Sequence, residues 1–89
     1  MANPRIPTKL TKIERYILQK AVEKRLEANI SQEKLSILIG KNRSFVGHVE
    51  ARRNGAKYNI NHVNDLAEAL DCSPYDFIPD KPFRNNDKK

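Results

Sequence analysis

Tryptophan is absent from this chain, cysteine and methionine occur once each, and glycine occurs only three times. With Cys72 alone, no internal disulfide can form, which fits a reducing compartment, and a cytoplasmic location is the expectation. Cys72 itself reads as a small buried hydrophobe. His48 and His62 have no second cysteine or clustered carboxylates at ligand spacing, so neither a metal site nor a cofactor is expected. No apolar run approaches the length that spans a bilayer, and the first residues show no signal-peptide pattern, so no membrane partner is expected. The chain has no nucleophile–base pair and no glycine-rich phosphate loop, which argues against an enzyme. Strand alternation is missing as well. Asn54-Gly55 is a turn signal with no alternating apolar flanks, and it reads as a loop.

What is present is a short, basic, helix-patterned chain. Its 89 residues make one small domain, and 38% hydrophobic content demands efficient burial or a surface shared with a second subunit. The net charge of +6 favours a polyanionic partner. Its distribution matters more than its total. Met1 to Arg25 holds seven Lys/Arg against Glu14 and Glu23, and Lys41 to Lys57 holds five against Glu50. Asn59 to Ile78 holds Asp65, Glu68, Asp71 and Asp76 with no Lys or Arg. A basic pole would face phosphates while the acidic segment points away.

Along the chain, residues 1–10 carry Pro4 and Pro7 and read as a flexible arm. Thr8 or Thr11 caps a first helix that runs to about Ala28, with Ile13, Tyr16, Ile17, Ala21, Val22 and Leu26 at helical spacing. Asn29 suits the left-handed end of that helix. Ser31 caps a second helix over 32–39, whose buried face is Leu35, Leu38 and Ile39. Gly40-Lys41-Asn42 is a tight turn, and Asn42 caps a third helix over 43–51. Asn59 or Asn61 caps a fourth helix to about Leu70, with Ile60, Val63, Leu66, Ala67 and Leu70 on its apolar side. Ser73-Pro74-Tyr75-Asp76 is a helix-start pattern and predicts a short fifth helix ended by Pro79. The domain is then 11–79, with residues 80–89 a disordered tail.

The third helix organises this reading. At about 100° per residue, Phe45, Val46 and Val49 share one arc, while Arg43, Ser44, Gly47, His48 and Ala51 fill the other. A guanidinium, a hydroxyl and an imidazole set among small residues suit a helix lying in a DNA major groove.

Ser31-Gln32-Glu33-Lys34-Leu35-Ser36, Gly40, Arg43-Ser44-Phe45-Val46, Val49-Glu50 and Leu66-Ala67-Glu68-Ala69-Leu70 together resemble the lambda-repressor-like helix-turn-helix domain of the Cro/C1 or Xre type. Ser36 stands where that pattern usually has alanine, and 52–59 is a few residues longer than in compact members. The resemblance implies an all-α, compact five-helix bundle and binding to double-stranded DNA as a transcriptional regulator, with repression the expected effect. It implies base contacts by Arg43, Ser44, Gly47 and His48. It implies phosphate contacts by Gln32, Lys41, Asn42, Arg52, Arg53, Asn54 and Lys57, with Gln32 also bracing Arg43. It further implies an ion pair between Arg25 and Glu50. One such domain covers few base pairs, so a homodimer on a palindromic site is expected, with self-contact through Tyr75, Phe77 and Ile78.

Tyr16, Tyr75, Phe45 and Phe77 read as packing residues, while Tyr58 is the aromatic whose hydroxyl could touch a phosphate. The alternative function is a protein-interaction module, such as an antitoxin of the same type. Its acidic 59–78 face would dock a protein partner, and DNA binding would be secondary.

Overall fold

The computed structural model describes residues 9–84. Most of the expected arm and the end of the expected tail lie outside them. Four α-helices follow one another: α1 (Lys12–Glu27), α2 (Gln32–Leu38), α3 (Phe45–Glu50) and α4 (Ile60–Ala69). Two short 3-10 turns, Arg53–Gly55 and Pro74–Phe77, complete the described elements.

Local chemistry explains the boundaries. Thr11 opens α1 with a capping box: its hydroxyl accepts from the Glu14 N–H, and the Glu14 carboxylate accepts from the Thr11 N–H. Asn29 closes the connection in the left-handed region, at φ 59°. Ser31 caps α2 by accepting from the Lys34 N–H at 3.0 Å, and Gly40 at φ 76° lets the chain turn sharply toward α3. Asn59 opens α4 with a second box, in which His62 Nδ1 accepts from the Asn59 N–H at 3.0 Å.

The predicted fifth helix is a single 3-10 turn. Its start chemistry is intact, since Ser73 and Asp76 form a capping box around Pro74. Four residues before Pro79 leave no room for a propagating helix, so capping alone does not lengthen it. Helix α3 is also shorter than expected. The segment 43–44 is a turn, in which the Asn42 side chain accepts from the Ser44 N–H at 3.1 Å and its hydroxyl at 2.9 Å.

The core is formed by Ala21 of α1, Leu35 and Ile39, Val46 and Val49 of α3, Tyr58, Val63, Leu66 and Ala67 of α4, and Phe77. Several sequence expectations are corrected here: Ile60 and Tyr75, read as packing residues, are exposed. Leu38 is 48% exposed, and Ser36 is fully buried in its stead. On α2, Leu35, Ile39 and Ser36 span about 100° of arc while Leu38 falls outside it. Ile13 and Leu26 of α1 are exposed, while Ile17 and Ala21 pack inward as expected and Leu18 joins them. Tyr58 is buried, so its hydroxyl is not presented to a phosphate. At the margins, Leu10 is buried, and Phe83 sits edge-on to Tyr16 with ring centroids 5.9 Å apart.

Ser36 does more than fill space. Its hydroxyl donates to the Gln32 carbonyl at 2.9 Å and accepts from the Val46 N–H at 2.9 Å. Ser44, which precedes α3, makes no side-chain cap bond, so Ser36 satisfies a first-turn donor of α3 from across the turn. Replacing Ser36 by alanine leaves the buried Val46 N–H without a partner. The expected cost is about 1–3 kcal/mol, measured by urea unfolding.

His62 packs between Phe45 at 5.0 Å and Tyr58 at 6.0 Å. Burial and the nearby Lys41 ammonium hold its pKa below the ordinary value, against the pull of Asp65. The fold therefore favours the neutral ring, whose Nδ1 accepts the Asn59 N–H. The sign follows: His62 contributes stability above its unfolded pKa of about 6.5, and that contribution is lost as pH falls through its lowered folded value. Wild type should thus lose more stability than His62→Gln between pH 7.5 and 5, as read by thermal melts.

Candidate nucleic-acid interface

The face opposite the core on α3 opens into a shallow depression of about 590 Å³. Gln32, Arg43, Ser44, Gly47, His48 and Arg53 line it, together with Glu33, Glu50 and Ala51. Arg43, Ser44 and His48 are exposed there, while Val46 and Val49 turn wholly inward. Helix α3 thus presents its polar arc outward and anchors its apolar arc in the core.

Two clamps hold that orientation. The first is the Ser36 hydroxyl at its start. The second is Glu50 at its last residue. Arg25 Nε donates to Glu50 Oε2 at 2.8 Å, and Arg25 Nη2 donates to Oε1 at 3.0 Å, a two-pronged pair. The third Arg25 nitrogen, Nη1, donates to the Ile30 carbonyl at 2.9 Å. Gln32 Nε2 then donates to Glu50 Oε1 at 2.8 Å. One carboxylate thereby ties α3 to the end of α1 and the first residue of α2.

Gln32 braces Glu50, then, and not Arg43 as the sequence resemblance implied. Arg43 instead lies 4.0 Å (Nε to Oε2) from Glu33, with both side chains largely exposed. A pair this exposed contributes little stability. Glu33 is the lining residue that sequence reasoning missed; its adjacency to Gln32 at the start of α2 was the available signal.

The remaining candidates divide. Arg52 and Asn54 are exposed just beyond α3, both with left-handed backbone, at φ 57° and 52°. Left-handed arginine is strained where glycine would not be. Lys41 lies outside the depression's lining, its ammonium 5.5 Å above the Phe45 ring. Lys57 is tied to α1, its Nζ 2.6 Å from Glu14 Oε2. Burial raises the Glu14 pKa, but Lys57 and the Thr11 backbone and hydroxyl outweigh it and bring it below its ordinary value. On the acidic segment, Asp76 sits 3.9 Å from Lys24, so that carboxylate is partly neutralised within the chain. Among the described residues no group of three His, Cys, Asp or Glu side chains gathers as metal ligands, and no helix is long and apolar enough to cross a membrane.

This arrangement of helices matches known structures. The restriction-modification controller protein C.AhdI from Aeromonas hydrophila is 33% identical, with a TM-score of 0.61, over 74% of this chain and 91% of that one. The chain belongs to the lambda-repressor-like helix-turn-helix family. A hypothetical transcription factor, NHTF from Neisseria, shares the same fold at 24% identity, with a TM-score of 0.63, over 84% of this chain and 87% of that one. No family model matches the sequence, and no curated protein matches it. Within the helix-turn-helix, α2 and α3 are the paired helices, and Ser36 and Glu50 set the angle at which α3 is offered.

Both side chains of the Arg25–Glu50 pair are nearly nine-tenths buried, at 12% and 11% exposure. Removing one partner leaves the other charge desolvated. Arg25→Ala should lower the unfolding free energy by about 3 kcal/mol in urea titration.

Proposed function

We propose that this protein binds double-stranded DNA in a sequence-specific manner and regulates transcription, with α3 lying in the major groove. The observation that carries this reading is the outward face of α3. His48 on α3, with Arg43 and Ser44 in the turn that leads into it, stands exposed, and the short helix is clamped at both ends. Kinship with C.AhdI, a controller protein, supports a regulatory role.

In this reading Arg43, Ser44 and His48 meet base edges. A guanidinium meeting guanine O6 and N7 supplies about 1–3 kcal/mol of discrimination. Arg52, Arg53, Asn54 and Lys41 meet phosphates along the flanks, with Asn42 near the turn. The strained backbone at Arg52 favours a role there, since strain persists where function needs it. Lys57 reaches a phosphate only by leaving Glu14. The protein acts as a dimer on a palindromic site, and repression follows where that site overlaps a promoter. Tyr75, 86% exposed on the last 3-10 turn, and half-buried Ile78 offer the self-contact. Phe77, grouped with them from the sequence, is fully buried in the core and takes no part.

The test is selection of bound duplexes from a random pool, followed by fluorescence anisotropy. A consensus with two inverted half-sites is the expected result. Neutralising about six phosphates gives a log K against log salt slope near −5. Arg43→Ala combined with His48→Ala should abolish preference among duplexes while sparing non-specific binding. A double variant that keeps its preference overturns the base-reading assignment.

A further inference from the structure

Gly47 lies inside a helix of only six residues. Glycine is the poorest helix former after proline, and a helix this short gains little from propagation. Backbone conformation does not demand it: the glycines with positive φ are Gly40 and Gly55, not Gly47. Open solvent does not explain it either, because the position is half-buried. What occupies the space is the Gln32 amide. A Cβ added at Gly47 would sit 3.2 Å from Gln32 Oε1 and 3.8 Å from its Cδ. That same amide donates through Nε2 to Glu50 Oε1 at 2.8 Å.

We propose that Gly47 is a positioning residue for Gln32. Its missing side chain leaves room for the amide beside α3, Glu50 holds one Nε2 hydrogen, and the second hydrogen is left oriented for the phosphate contact that the family resemblance implies for Gln32. The proposal rests on the DNA-binding reading above and assigns Gly47 a role other than base contact. The second Nε2 hydrogen has no partner among the described residues, and Gln32 lines the depression beside Arg43. A side-chain amide with one hydrogen bond already fixed loses less freedom on binding than a freely rotating one. Alanine at position 47 improves the helix but obliges the amide to give by a few tenths of an ångström, which turns its hydrogens from their present directions. In the Gln32→Ala background, where no amide opposes the methyl, Gly47→Ala should raise stability and leave binding unchanged, which a glycine in direct contact with DNA would not produce.

The experiment is a double-mutant cycle on a duplex selected by the wild-type protein, with Gly47→Ala, Gln32→Ala and the double variant measured by anisotropy and thermal melting. Gly47→Ala should bind up to about tenfold more weakly than wild type, the equivalent of one hydrogen bond, and the double variant should melt higher than Gln32→Ala. Gln32→Ala should bind weakly to a similar degree, and the double variant no more weakly than Gln32→Ala alone. The salt slope should stay unchanged in all three, because no cation is removed. Losses that multiply in the double variant would show that Gly47 acts on DNA directly, and would overturn the proposal while leaving DNA binding intact. Wild-type affinity in Gly47→Ala, or loss of its fold, overturns it too. A wild-type protein that retains no duplex overturns this inference and the functional reading together.

Discussion

A single carboxylate carries the architecture of this interface. Glu50 ends α3, and it accepts from Arg25 of α1 and from Gln32 of α2. A helix of six residues has no independent stability in water, so its direction is set entirely by what grips it. At its other end the Ser36 hydroxyl takes the Val46 N–H. Between these grips Val46 and Val49 are fully buried. The polar arc of α3 is presented at a fixed angle because both ends and the inner face are held, and fixed presentation is what direct readout of base edges requires.

Holding the helix in this way consumes groups that a sequence would count as available. Gln32 commits one amide hydrogen to Glu50, and Asn42 spends its carboxamide oxygen on Ser44. Lys57 pairs with Glu14, and Lys41 sits over the Phe45 ring. Arg43, by contrast, keeps a largely exposed guanidinium, held only loosely by Glu33. The basic half is therefore not a uniform field of cations. It separates into charges spent on the scaffold and charges left at the surface, and Arg43, Arg52 and Arg53 of the second group flank α3.

Much of the fold was legible in the chain. Side-chain caps act locally, so Ser31 and Ser73 marked their elements from sequence and Thr11 and Asn59 were each one of two candidates, whereas Asn42, expected to cap the third helix, caps the preceding turn instead. Left-handed Asn29 and Gly40 were readable for the same reason, since each follows from its own φ preference. The misreadings occurred where the deciding contact was distant. Leu38 lost its interior place to Ser36 because α3 backs onto the serine side of α2. Tyr58, apparently a loop residue, is drawn into the core by Phe45 and His62. The fifth element kept its start signals and failed to propagate.

Read without its fold, the chain specified the helical class, most of the caps and turns, the separation of charge and the two arcs of α3. Each of these depends on residues within about one helical turn of each other, or on composition alone. Which polar groups remain available was settled by packing. Glu50 meets Gln32 across 18 positions and Arg25 across 25, while Lys57 meets Glu14 across 43. No local spacing encodes such encounters. They exist because packing four short helices around one small core brings distant side chains within hydrogen-bond range.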